Sequence, residues 1–151
     1  MNVTLMVDGV SRTWDVAPDE HLLDTLRAHR VWGVKRGCEA GACGACTVLV
    51  DGVPKASCLL FTASVAGAHI TTVEGVPRDV GAALVDAGGV QCGFCTPGVT
   101  LSAHALLEHD PEPSEDAIRR ALDGNLCRCT GYTKIVEGVQ LAASRRRDHV
   151  A

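Results

Sequence analysis

Eight cysteines dominate the chemistry of this 151-residue chain, and they fall into two sets of four. Cys38, Cys43 and Cys46 form a CxxxxCxxC run inside GCEAGACGAC, and Cys58 follows twelve positions after Cys46. Cys92 and Cys95 make a CxxC pair in QCGFC, and Cys127 and Cys129 make a CxC pair in NLCRCTGY. In a reducing compartment, thiols at such spacings more often bind metal than pair as disulfides. The first set has the plant-type 2Fe-2S spacing, in which a loop supplies three thiolates and a neighbouring element the fourth. Two ferric irons, two sulfides and four thiolates leave two negative charges, and one-electron reduction leaves three. The loop must therefore stabilise anionic sulfur. Gly37, Gly41 and Gly44 suit that demand, because a backbone without Cβ adopts unusual torsions and turns its N–H groups toward sulfur. Ala40, Ala42 and Ala45 add little bulk, and Lys35 and Arg36 stand close enough in sequence to add positive charge or to remain merely solvated.

The second set supplies four ligands to one cluster if helices bring its two loops to one end of a bundle. Successive-but-one residues of a helix point to nearly opposite sides, so Cys127 and Cys129 belong in an extended turn, which Gly124 and Gly131 permit. Four-cysteine zinc is the inorganic rival, since tetrahedral zinc sites also use CxxC pairs. A CxC pair is a poorer zinc spacing, and CxxxxCxxC departs from paired zinc knuckles.

The elements that must position these cysteines change character along the chain. Val3, Leu5 and Val7 alternate, Asp8-Gly9 is a hairpin signal, and Val10 to Val16 returns. Pro18 and Asp19 can open a helix carrying Leu22, Leu23 and Leu26 on one face and ending before Gly33. A second hairpin runs from Thr47 to Val50 through Asp51-Gly52 and back over Val53 to Cys58, and one more strand is expected at His69 to Val73. From Glu74 the spacing becomes helical, with candidates at 79–87, 96–108, 114–122 and 134–144. Thr96 and Ser114 are expected N-caps and Pro97 suits a first helical position. The fold class is therefore α+β. A small sheet with a packed helix occupies 1–75, and a four-helix bundle occupies 76–151, with the joint at Gly75, Val76 and Pro77.

Composition removes several function classes. The formal net charge is -4 and only five residues are aromatic, so neither electrostatics nor stacking favours nucleic acid. No apolar run approaches the ~20 residues of a membrane-spanning helix, and MNVTLMVDGV lacks signal-peptide regions, so a cytoplasmic protein with no integral membrane segment is expected. The six histidines form no HExxH, and His104 reads as a core or boundary residue. The glycine loop is not a phosphate-binding loop, because GxxxxGK followed by Ser or Thr is absent. The basic run Arg145, Arg146 and Arg147 reads as a solvated tail.

With both cysteine sets in place, the chain resembles the small iron-sulfur subunit of the xanthine oxidase family of molybdenum hydroxylases, including aerobic carbon monoxide dehydrogenases. The resemblance is carried by GCEAGACGACTVLVDG (37–52), Cys58, ITTVEG (70–75), QCGFCTPG (91–98) and NLCRCTGY (125–132). It implies an N-terminal β-grasp plant-type ferredoxin domain holding one 2Fe-2S cluster through Cys38, Cys43, Cys46 and Cys58. It also implies an all-α four-helix domain holding the other through Cys92, Cys95, Cys127 and Cys129. Gln91 and Cys129 would lie at the molybdopterin, a dinucleotide form with molybdenum bound by a large partner subunit, and FAD would sit on a medium subunit. Electrons would pass singly from molybdenum through the helical-domain cluster and the ferredoxin-domain cluster to FAD, within a dimer of heterotrimers. The chain itself would turn over no substrate. A free-standing two-cluster ferredoxin is the alternative, although a plain ferredoxin needs only the first cysteine set. A zinc-stapled interaction module is a third class and would be colourless.

Overall fold

The computed structural model describes residues 1–148, so the last three residues of the expected second region lie outside it. Strands β1 (Asn2–Val7) and β2 (Val10–Asp15) form the first hairpin, in the expected register from Asn2↔Asp15 to Val7↔Val10. Asp8 and Gly9 both take positive φ, at 47° and 80°, the left-handed pair that matches strand twist in a two-residue hairpin. Strands β3 (Thr47–Val50) and β4 (Val53–Ala56) repeat the device around Asp51 and Gly52, at φ 49° and 83°. Strand β5 (His69–Thr71) enters between the hairpins, parallel to β1 and antiparallel to β3, giving the order β2-β1-β5-β3-β4.

Helix α1 (Leu22–Ala28) closes one face of this sheet. Val3, Leu5 and Val7, alternate residues of β1, are buried with Leu22, Leu23, Leu26, Val48 and Ile70. The helix starts later than Pro18-Asp19 suggested. His21 is extended and bridges Phe61, Leu22 N–H donates to Leu60 O, and Thr62 N–H donates to Glu20 O. Those contacts hold the backbone out of the helix until Leu22. The second hairpin's return strand also stops short of Cys58, which lies in a 3-10 turn over Ser57–Leu59. This is the β-grasp ferredoxin arrangement.

The four expected helices follow: α2 (Asp79–Asp86), α3 (Thr96–His109), α4 (Glu115–Leu122) and α5 (Thr133–Asp148). Ser114 caps α4, accepting from Ala117 N–H at 3.2 Å. Thr96 is not a cap; it is the first residue of α3, and Cys95 occupies the cap position with no side-chain bond. Val80, Leu84, Val99, Leu107, Ile118, Ile135 and Val139 fill the bundle. Helices α2 and α5 meet at Gly138, where a Cβ would stand 2.9 Å from the Leu84 Cα.

The arginine run is not a solvated tail. Arg145 pairs with Asp86 at 2.8 Å, and Arg147 faces Glu112 at 3.6 Å. Arg146 reaches inward to Asp79 (2.5 Å), Glu108 (3.0 Å) and His104 Nδ1 (2.9 Å), tying α5 to α2 and α3. The two halves of the chain share a small apolar patch of Leu49 on β3 with Leu101 and Ala105 on α3, flanked by Val76.

Candidate iron-sulfur centres

The loop between α1 and β3 carries Cys38, Cys43 and Cys46, and its backbone faces its own sulfur. The N–H groups of Ala40, Ala42 and Cys43 all donate to Cys38 Sγ, at 3.4, 3.3 and 3.3 Å, while Cys38 N–H donates to Cys43 Sγ at 3.4 Å. Gly41 and Gly44 supply positive φ, 71° and 69°, and so does Glu39 at 56°. Gly37 does not. Its role is space, since a Cβ there would stand 2.7 Å from Cys43 Sγ. Cys46 and Cys58 are buried beneath the loop, and Cys38 is exposed at its tip. Of the two basic residues before the loop, only Arg36 is paired with carboxylates among the described residues. Lys35 donates to Trp32 O, and Arg36 is paired with Asp24 and Glu39.

The proton affinities of these thiols reflect that layout. The N–H of Ala40, with the thiol and N–H of Cys43 and the N–H of Ala42, draws Cys38 down to about 7. Burial and the neighbouring Cys46 thiol push Cys58 up to about 11. A loop rich in N–H donors thus stabilises the sulfur anion of Cys38 at its tip, while burial disfavours the anion of Cys58.

The second quartet gathers where the 87–95 segment meets the 125–132 segment. Cys129 Sγ lies 3.6 Å from Cys92 Sγ, and both are exposed. Cys95, at the start of α3, is driven up to about 12 by burial and by the adjacent Cys127. Burial also acts to raise Cys127, but the Thr130 hydroxyl at 3.2 Å and the N–H groups of Thr130 and Cys129 outweigh it and lower it. Hydrogen bonding to Cys92 raises Cys129. Cys127 and Cys129 lie in irregular backbone, as CxC requires. Gly131 turns the chain at φ 67°, whereas Gly124 does not need positive φ. Gln91 is exposed beside this group and donates to Cys129 O at 3.1 Å.

Two residues that the sequence reading passed over hold the second loop. Tyr132, itself at φ 72°, accepts from Cys127 N–H at 2.8 Å and donates to Asn125 O at 3.3 Å. Asn125 is buried, and beside it Leu126 N–H donates to Cys43 O at 2.9 Å, which joins the two cysteine loops directly. Both sat inside a motif read for its cysteines. A polar residue that becomes buried only through contact with the other half gives no local signal.

Among the described residues, no three His, Cys, Asp or Glu side chains converge closely enough to share one metal ion. A four-thiolate zinc site needs such convergence, with each sulfur about 2.3 Å from the ion. A two-iron cluster is wider and takes two thiolates at each iron.

Comparison with known proteins agrees with this layout. Residues 5–68 match the family described as 2Fe-2S iron-sulfur cluster binding domain, and residues 72–140 match the [2Fe-2S] binding domain family. The chain is 42% identical over 151 residues to the Nicotinate dehydrogenase small FeS subunit of Eubacterium barkeri, covering 96% of each. The chain belongs to the family of small 2Fe-2S subunits of molybdenum hydroxylases. The same small-subunit family includes the Nicotine 6-hydroxylase small subunit of Paenarthrobacter nicotinovorans, 44% identical over 144 residues with 92% of this chain and 87% of that one covered. Among solved structures, a chain of quinoline 2-oxidoreductase from Pseudomonas putida 86 superposes with a TM-score of 0.92 at 38% identity, covering 98% of this chain and 96% of that chain. The aldehyde oxidoreductase of Desulfovibrio gigas matches at TM-score 0.93 and 39% identity, and there this chain corresponds to 17% of a longer polypeptide. Two 2Fe-2S-binding domains in tandem are thus a property of this small subunit.

Proposed function

We propose that this chain carries electrons one at a time between a molybdopterin centre on a large partner subunit and FAD on a medium partner subunit. Cys38, Cys43, Cys46 and Cys58 hold one 2Fe-2S cluster, and Cys92, Cys95, Cys127 and Cys129 hold the other. The boundary between the two binding domains lies at Gly75. The observation that carries this reading is the direct contact between the two cysteine loops, through Leu126 N–H and Cys43 O at 2.9 Å, in a chain with two cluster-binding domains. A bound 2Fe-2S cluster accepts and releases a single electron.

The residues divide the work. The N–H groups of Ala40, Ala42 and Cys43 stabilise negative charge at the first loop. Thr130 and Tyr132 orient Cys127 in the second. Gln91 and Cys129, exposed and hydrogen-bonded to each other, present an amide and a thiolate to the pterin, in a dinucleotide form, of the large subunit. The helical half therefore faces molybdenum and the ferredoxin half passes electrons on to FAD. We place the assembly in the cytoplasm as a dimer of heterotrimers, and no helix among the described residues is long and apolar enough to cross a membrane.

The test is iron and acid-labile sulfide per chain, with low-temperature EPR after dithionite reduction, on anaerobically purified complex. About four iron and four sulfide with two distinct signals are expected. Cys58→Ser should remove one signal and Cys127→Ser the other. Zinc in place of iron, or a single signal in the unaltered chain, overturns the assignment.

A further inference from the structure

Between the two cysteine loops lies a buried amide that belongs to neither quartet. Asn125 is 3% exposed. Its Oδ1 accepts from Ser102 Oγ on α3 at 2.7 Å, and its Nδ2 donates to Gly44 O and to Thr47 Oγ1, each at 3.2 Å. Thr47 Oγ1 in turn donates to Gly44 O at 2.7 Å. Three elements from both halves of the chain thus close on one side chain, a satisfied polar network of the kind that fixes a single arrangement. The backbone around it leaves no slack. A Cβ on Gly44 would stand 2.1 Å from Gly124 O, and a Cβ on Gly98 would stand 2.4 Å from Gly44 O. Gly44 directly follows Cys43, and Asn125 precedes Cys127 by two residues.

We propose that Asn125 is the positioning residue that sets the separation of the two clusters, and with it the rate at which an electron crosses between them. This rests on the two-cluster reading above. In the crossing one cluster is oxidised and the other reduced by one electron, with no bond made or broken. The hydrogen bond from Leu126 to Cys43 links the two loops, and the Asn125 amide holds that link in register from the side. Tunnelling falls exponentially with distance, and the magnetic interaction of two reduced clusters falls as its inverse cube. A small drift of either loop is therefore legible in both quantities while every cysteine remains in place.

The experiment uses the assembled holoenzyme carrying Asn125→Leu, Thr47→Val or Thr47→Ser. Thr47→Val keeps the shape of a buried strand residue but removes the hydroxyl, and Thr47→Ser restores it. Iron content, melting temperature, the mutual splitting of the two EPR signals and the inter-cluster rate after rapid photoreduction are measured for each. Asn125→Leu and Thr47→Val are expected to retain full iron, to lose or narrow the mutual splitting and to slow the crossing several-fold. Thr47→Ser is expected to match the unaltered protein. Should Asn125→Leu fail to assemble, the Thr47 pair decides. Variants that melt earlier but keep both splitting and rate give Asn125 a purely structural role and overturn the proposal. An unaltered protein without two signals overturns the two-cluster reading itself, a failure the variants cannot mimic.

Discussion

At the scale of single residues, the cysteine loop works because particular backbone positions accept no side chain. Gly44 combines φ 69° with a Cβ position 2.1 Å from a backbone carbonyl. Gly44→Ala therefore meets left-handed strain and overpacking together, and should cost at least about 2 kcal/mol. Thermal melting with iron analysis will check this, and an alanine variant with native stability and full iron would contradict it. Gly9 and Gly52 also have positive φ but nothing within 4 Å, so alanine there meets torsional strain alone. The gathering of the cysteines into two groups was legible in the sequence, because motif spacing is local. So was the use of Gly41 and Gly44. Asn125 was not, since its partners Gly44, Thr47 and Ser102 appear only once separate segments meet; Tyr132 bonds Cys127 N–H within its own motif, through a left-handed turn that residue spacing does not reveal.

At the scale of elements, the bundle is fastened at one end by a cationic pin on α5. Arg146 is the most buried of the three arginines, with 21% of its side chain exposed against 41% and 44% for Arg145 and Arg147. Arg146→Met should cost about 1–3 kcal/mol, because it strands Asp79 and its already unpartnered Oδ1. Arg145→Met should change stability by no more than about 0.5 kcal/mol. Chemical denaturation of the two variants side by side distinguishes these outcomes. The same pin makes the bundle acid-sensitive. Burial and the Arg146 charge lower His104, whose Nδ1 faces the guanidinium and whose Nε2 lies 3.9 Å from Glu108. Burial acts to raise Asp79, but the Arg146 hydrogen bond outweighs it and holds the carboxyl low. Both groups are depressed in the folded state, so the unfolded chain takes up protons first as pH falls. Stability from His104 should be complete above the ordinary imidazole value near 6.5 and decline below it, and Asp79's share should follow below about 4. Melting temperatures across that range will show the decline, and His104→Gln should remove its upper part. The four helices were readable from apolar spacing. The pin was not, because a run of three arginines looks alike whether or not carboxylates on α2 and α3 await it.

At the scale of the whole molecule, the two halves meet through the Leu49, Leu101 and Ala105 patch and through the Asn125 network. Leu101 is 1% exposed on a helix that also borders the second quartet. Leu101→Ala should cost about 2–4 kcal/mol. It should also separate the melting of the halves, so that calorimetry resolves two transitions where the unaltered protein gives one. A single transition at an unchanged temperature would show that the patch does not couple them. The division into a sheet half and a helical half was legible from the change of period near Glu74. Their packing was not, since Leu49 reads as one more inward residue of a strand.

The span of the Asn125 network also bears on synthesis. Strand β1 cannot find its parallel neighbour until residues 69 and 70 exist, and the Cys43–Gly44 backbone cannot find Leu126 and Asn125 until much later. Contacts this distant in sequence form slowly and last, after the intervening chain has been made. A ribosome therefore exposes Cys38, Cys43, Cys46 and Cys58 well before the opposing loop has left the exit tunnel. A metal taken up by the first loop during translation would therefore meet it without its contacts to Leu126 and Asn125.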